Sequence, residues 1–440
     1  MYNNKQIWSI SYPILLGLLA QNIINVTDTA FLGHVSEVAL GASAMGGLFY
    51  VCIYTIAFGF SVGSQIVIAR RNGEQQNRDI GPVMIQGCIF LLALAVFVFG
   101  FTKGFGRSII RVMVSSDVIY DATMEFVNWR IFGFFFSFAS VMFRAFYIGI
   151  IRTKVLTINA IVMALVNVAL DYALIFGKFG LPEMGIEGAA IASVIAEASS
   201  ILFFLIYTYI TVDLKKYGLN KLRSFDVILL VRILNISCFT MLQYFLSMFT
   251  FFVFFMVVER LGQRELAIAN IVRSIYILLY IPVGALATTA NSLVSNTIGA
   301  GGVQHVMGLI KKIARMDFFI MLGLVGVIVL FPNLILSVYT KDASLISDCI
   351  SSMYVVCAAM LIASIANVAF NSISGTGNTR AALMLESGTL VFYVAYLLIV
   401  GIGFKPPVEI CFTTEIVYYT LLLISSYIYL KKANWQNKKV

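Results

Sequence analysis

The chain has 440 residues, of which 60% are apolar and only 12% charged; a soluble domain carries about 45–50% and about 25%. So little charge cannot coat a water-facing globule of this length, which excludes an ordinary soluble enzyme and a disordered chain alike. The formal net charge is +9, but Lys and Arg are confined to loops rather than gathered on one folded face, so no nucleic-acid partner is expected.

The apolar runs are continuous over about twenty residues, as in Cys88–Phe101 extended back to Ile80 and in Phe318–Phe331 with its flanks. Membrane-barrel strands alternate over about ten residues instead. Continuous runs of this length predict transmembrane helices. In chain order the spans are expected at 9–31, 39–69, 80–101, 121–147, 155–177, 186–210, 233–258, 265–298, 309–332, 347–373, 380–403 and 410–430. The opening MYNNKQIWSISYPILL has one Lys, an early Pro13 and no small-residue cleavage site, so it reads as the start of the first span. The longest polar stretch, 211–232, reads as a short loop plus an interfacial amphipathic segment. This divides the chain into an N-terminal six-helix lobe (1–215), a cytoplasmic linker (216–232) and a C-terminal six-helix lobe (233–440). The six Cys form no CxxC pair and there are two His, His34 and His305, so neither a disulfide framework nor a Cys/His metal site is expected.

With the N-terminus cytoplasmic, nineteen Lys and Arg fall in inside loops, eight in outside loops and three, Arg130, Arg144 and Arg273, in spans. That bias, by the positive-inside rule, puts both termini in the cytoplasm and needs an even number of spans. The halves also resemble each other at an offset of about 226–228. Gly33-x3-Glu37 aligns with Gly262-x2-Glu265, GSQIVIARRNG ending at Gly73 with TANSLVSNTIG ending at Gly299, and Gly149-x3-Thr153 with Gly375-x3-Thr379. Two parallel six-helix repeats are therefore expected, around a central cleft near the bilayer midplane.

Ionisable residues inside spans carry the functional signal, because each is costly unless paired or hydrated. They are Asp28 (span 1), Asp171 (span 5), Glu197 (span 6), Glu386 (span 11) and Glu415 (span 12). Gln21, Asn25 and Asp28 make one stripe, and Asn159, Asn167 and Asp171 share nearly one face of their helix. Polar residues do bond packed spans together, and amides alone would fit that role. Two acids without a matching internal base point instead to a site. Burial disfavours a charged carboxylate, so such a pair can take up a proton; ionised, its oxygens suit a hard cation such as Na⁺ or an organic cation. Glu197 reads as a relay or an interfacial group. Glu386 reads as snorkelling near the inner end of span 11, and Glu415 lies near the outer end of span 12. Arg144 is expected to reach the cytoplasmic headgroups. The second half has amide stripes, Thr240, Gln243, Ser247 and Thr250 on span 7, and Ser364, Asn367, Asn371 and Ser374 on span 10, which either line a solvated cleft or bond helices together. No GxxxxGK[ST] loop is present to bind ATP.

Pro13 with Gln21 and VTDTAFLGHVSEVALGA, then NVALDYALIFGKFG, GIEGAAIAS, IPVGALATTANSLVSNTIGAG and FNSISGTGNTR, taken together and in order, resemble the multidrug and toxic compound extrusion (MATE) family. The acids in the N-terminal half resemble its DinF-like branch. The resemblance implies a twelve-helix, V-shaped antiporter without a cofactor, exporting cationic or amphipathic small molecules against H⁺ or Na⁺ from the cell membrane as a lipid-embedded monomer. It implies Asp28 and Asp171 as ion-coupling carboxylates, with Gln21 and Asn167 in their network. Ser193 stands where the family often has Thr and keeps a hydroxyl. A Na⁺ ion would take Asp28, Asn167, Asp171 and Ser193. Another branch places acids in spans 7 and 10, where this chain has Gln243 and Asn367 or Asn371. A lipid-linked-oligosaccharide flippase would want a basic cleft, and an integral-membrane enzyme acting on polyprenyl phosphates would want acid- or His-rich surface loops; a channel would not need repeat halves.

Overall fold

The computed structural model describes residues 2–114, 116–220, 225–404 and 406–436. Lys221, Arg223, Lys405, Lys438 and Lys439, which enter the charge count above, lie outside the described residues. Fourteen α-helices are found there, and the only other helical pieces are a 3₁₀ turn at Val303–His305 and a π-helical turn at Ile399–Phe404. Eleven helices are long and apolar enough to cross a membrane; α4 (Asp117–Arg130) and α5 (Gly133–Gly149) together make the twelfth span, bent by 53°. The others are α1 (Asn4–Val35), α2 (Glu37–Gly73), α3 (Asn77–Met113), α6 (Lys154–Ile175), α7 (Gly185–Thr211), α8 (Val227–Glu259), α9 (Gln263–Gly299), α10 (Val306–Leu330), α12 (Ala343–Gly375), α13 (Thr379–Leu398) and α14 (Val408–Lys432); α11 (Pro332–Leu336) is a short connector. The twelve expected spans are therefore all helical. α8 begins at Val227, so 227–232, expected as an interfacial piece of the linker, are its first turns.

At the start of some helices a side chain satisfies the free backbone N–H groups. The Ser36 hydroxyl accepts from Ala39 N of α2, Asp342 from Ser344 N and Leu345 N of α12, and Asn378 from Ala381 N of α13. Along the spans, large apolar side chains such as Val96, Phe97, Leu165, Phe319, Val391 and Phe392 are each more than 60% exposed. Water would penalise such a surface, whereas lipid does not.

The helices pack into two compact units, Leu16–Met241 and Met1–Leu15 with Leu242–Val440. Their internal packing repeats. In the first unit α2 lies on α4 and α5, which lie on α7; in the second, α9 lies on α12, which lies on α14. Small residues allow the closest approaches. In the first unit a Cβ on Gly59 would run into the backbone of Met241, and the Thr240 hydroxyl donates to Gly59 O at 2.6 Å. In the second unit the opening of α1 is held by Ser11 Oγ donating to Thr289 Oγ1 at 3.0 Å and by Lys312 Nζ donating to Tyr2 O at 3.0 Å.

Candidate functional site

Two acids of the first unit meet. Asp171, on α6, and Asn167, one turn earlier, are fully buried, while Asp28 on α1 is half-buried. The Asp28 carboxyl is hydrogen-bonded with Asp171, Ser193 and Asn167. With its amide turned so that the NH₂ faces the acids, Asn167 Nδ2 donates to Asp28 Oδ1 at 2.9 Å and to Asp171 Oδ2 at 3.3 Å. Asp171 Oδ1 is buried without a partner. Three helices therefore bring together the expected Asp28, Asn167, Asp171 and Ser193. Two carboxyl groups bridged by one amide feel each other's ionisation, so they exchange a proton as a pair. Its remaining oxygens are the kind that a hard cation takes.

The other residues expected in this site do not hydrogen-bond the acid pair. Gln21 and Asn25 are exposed on α1, and neither hydrogen-bonds the acid pair. Asn159 shares the face of Asn167 and Asp171, but twelve residues of α-helix rise about 18 Å. Its amide donates to Ser200 Oγ at 2.9 Å, beside Ser140, so it bonds helices together.

Glu197, expected as a relay or an interfacial group, is paired with a base. It forms a two-pronged ion pair with Arg130, Nη1 to Oε2 at 2.9 Å and Nη2 to Oε1 at 2.6 Å, and both side chains are about 15% exposed or less. The Tyr50 hydroxyl donates to Glu197 Oε2 at 3.0 Å. The guanidinium lies 3.6 Å from the centroid of the Tyr50 ring, which is itself stacked on Phe134. The pair sits at the α4/α5 bend, and Gly133 makes room for it, since a Cβ there would collide with Arg130 Nη1 and Glu197 Oε2. Arg130 is also within electrostatic reach of Asp28. An internal base does exist, then, and its hydrogen-bonded partner is Glu197 rather than either aspartate. The Arg144 guanidinium lies 5.0 Å from the Phe58 ring centroid.

In the second unit Glu386 is 4% exposed, not snorkelling, and its Oε1 accepts from Ser247 Oγ at 2.5 Å and Tyr418 Oη at 3.4 Å. Glu415 Oε1 accepts from Tyr393 Oη at 3.0 Å. Asn367 and Asn371 each donate to a carbonyl one turn back, and Asn367 Oδ1 accepts from Tyr280. Gln243 is buried with its amide oxygen unpartnered. Sequence reasoning missed Asp317 of α10, which is fully buried with neither carboxylate oxygen partnered. Its signal was present, an acid eight residues past the start of the ninth expected span, but it follows the basic run KKIAR and reads as part of the loop.

The chain matches the MatE family model twice, over residues 13–173 and 240–399, so the two copies start 227 residues apart. It is 23% identical over 386 residues to a probable multidrug resistance protein NorM of Thermotoga maritima, covering 87% of this chain and 82% of that one. To a protein of the same description in Idiomarina loihiensis it is 25% identical, covering 78% and 76%. Among solved structures, an outward-facing multidrug resistance MATE family transporter of the MOP superfamily superposes with a TM-score of 0.89 at 20% identity, covering 97% of this chain and 95% of that one. A MOP superfamily transporter from Pyrococcus furiosus superposes with a TM-score of 0.86 at 20% identity, covering 98% and 97%.

Proposed function

The chain belongs to the MatE family, and on that premise we propose that it is a secondary antiporter, of the DinF-like kind, that exports organic cations or amphipathic small molecules in exchange for H⁺ or Na⁺. One observation carries the reading: Asp28 and Asp171 are joined through Asn167 in the interior of the first unit, with one carboxylate oxygen left open. Antiport needs only that ion and substrate favour different states of the protein. Protonation, or Na⁺ binding with Ser193 and Asn167 as further ligands, neutralises the pair and removes its attraction for a cationic substrate. Loss of the ion restores that attraction. α1 carries Pro13 inside its length, where a missing backbone hydrogen bond lets the helix bend, and movement of α1 shifts Asp28 against Asp171.

The relatives' description as multidrug resistance proteins supports small-molecule export, and the loop charges support cytoplasmic termini in the cell membrane, with the single chain as the working unit. The six-helix lobes 1–215 and 233–440 are the expected moving parts, and α8 begins inside the linker expected between them, at Val227. The reading is tested by efflux of a fluorescent cation from proteoliposomes under an imposed pH or Na⁺ gradient. Efflux driven by one of them identifies the ion. Movement driven by neither contradicts the reading, and a labelled lipid-linked oligosaccharide is then the next cargo to try.

A further inference from the structure

The second unit buries two glutamates among tyrosines. α13 and α14 are consecutive antiparallel spans, so Glu386 and Tyr393, two turns apart, face Tyr418 and Glu415 in that order. Tyr393 lies edge-on to Tyr418 at 5.8 Å, Tyr418 meets Tyr419 at 5.0 Å, and the Tyr419 hydroxyl is 2.5 Å from that of Tyr276. Ser247 of α8 closes the third side against Glu386.

Two acceptors here are left over. Glu386 Oε2 is buried without a partner, and so is the amide oxygen of Gln243, one turn before Ser247 on the same face of α8 and 7% exposed. No Lys, Arg or His pairs with either glutamate among the described residues. Arg273, three residues before Tyr276, lies over the rings of Phe251 and Phe255 instead. Buried acceptors without donors are unfavourable, and a carboxylate in such a place wants a positive partner. A proton would neutralise Glu386 but offer Gln243 nothing. Na⁺ would use the oxygens but gain little from ring walls. A substituted ammonium serves all three: its N–H groups donate to the carboxylate and the amide, and its apolar flanks lie on tyrosine rings, which attract cations through their faces.

We propose that Glu386 and Glu415, with Gln243, Ser247, Tyr393 and Tyr418, form a binding site for a protonated amine, separate from the aspartate pair. Glu415 is half-buried, and Tyr280, stacked on Tyr276, is 37% exposed, so the tyrosine cluster reaches the surface of its unit. Calling that amine the cargo rests on the exporter reading above; the site itself does not.

Binding without any gradient tests the site. The full chain is purified in detergent and titrated by fluorescence anisotropy with rhodamine 6G, a delocalised cation that carries two N–H groups and apolar flanks, in choline chloride and again in NaCl. Tetraphenylphosphonium, a cation with no N–H, competes in a second series. The Glu386→Gln/Glu415→Gln double variant should bind rhodamine 6G at least about tenfold more weakly, a loss of 1.4 kcal/mol or more. The exposed-surface variant Arg264→Gln should bind as the unaltered chain does. NaCl should leave the affinity unchanged, and tetraphenylphosphonium should compete poorly. Unchanged binding in the double variant overturns the proposal, as does displacement by Na⁺ or equal competition by tetraphenylphosphonium. Should the double variant not purify as a single species, Gln243→Leu and Tyr393→Phe are titrated instead: threefold weakening in either supports the site, and no change in both overturns it. Amine binding that depends on the glutamates, in a chain whose efflux no gradient drives, would sink the exporter reading and leave this site standing.

Discussion

The two units carry the same helix packing and opposite electrostatic solutions. The first brings acid to acid, Asp28 with Asp171 through Asn167, and gives its third acid, Glu197, a base of its own in Arg130. The second keeps Glu386 and Glu415 on separate partners and, among the described residues, gives them hydroxyl donors, from Ser247, Tyr418 and Tyr393. A paired carboxyl site is suited to trading one small positive charge for another, because its members feel each other's ionisation. Isolated carboxylates among rings are suited to holding a bulky cation. A duplicated scaffold can thus divide coupling and binding between its copies, since the fold depends on where the helices pack and not on which polar groups they carry inward.

The largest effect expected from breaking this contrast is at Asp171. Asp171→Asn keeps a hydrogen-bonding side chain beside Asp28 but removes the second carboxylate, and ion-driven efflux from proteoliposomes should fall by at least about a hundredfold, some 2.7 kcal/mol of lost coupling. The amount of protein in the membrane should not change.

Next comes the ion pair. Glu197→Gln leaves Arg130 charged and largely buried without its carboxylate, a change that costs about 3–5 kcal/mol where the partner is lost. Thermal unfolding should show it as a lowered midpoint. The double change Arg130→Met/Glu197→Leu should recover most of the loss, because it removes both charges together. A double variant no more stable than Glu197→Gln alone would mean the pair does more than balance charge.

In the second unit, Glu386→Gln should act on substrate rather than on the ion. Efflux should weaken about tenfold, about 1.4 kcal/mol, through a raised KM with kcat nearly kept, whereas Asp171→Asn loses kcat. The same kcat loss in both variants would erase the division between the units.

The smallest effect lies outside the membrane. The Ser344 hydroxyl, together with the backbone N–H groups of Ser344 and Leu345, holds the Asp342 carboxylate below its ordinary value of 3.8. A depressed carboxylate stabilises the folded cap above its unfolded value and loses that contribution as the pH falls through the folded one. Protection of the first turn of α12 against hydrogen exchange, taken relative to the intrinsic rate at each pH, should therefore fall below about pH 3.8, and Asp342→Asn, which caps without titrating, should remove that dependence.

Much of this was readable in the sequence, for identifiable reasons. Span length and composition follow from bilayer thickness, so all twelve spans could be located. Asp28, Asp171 and Asn167 were readable because an acid in a span has few tolerable surroundings. The same logic failed where depth and partner decide the outcome. Glu386 looked like a group near a helix end, yet α8 and α14 cover it. Asn159 had the right face at the wrong height, since periodicity records angle and not rise. Glu197 needed Arg130, brought to it across 67 residues by a bend between α4 and α5 that no proline marks. Asp317 was hidden by the basic residues before it.

The central claim is that the Asp28–Asp171 pair exchanges an ion for a cationic substrate. Its most direct test is to add substrate to the purified chain in weakly buffered detergent solution and count the ions released, protons by a pH-sensitive dye and ²²Na⁺ by retention on a filter. The account predicts release of about one ion per substrate bound, lost in Asp171→Asn; the same release from that variant would contradict it.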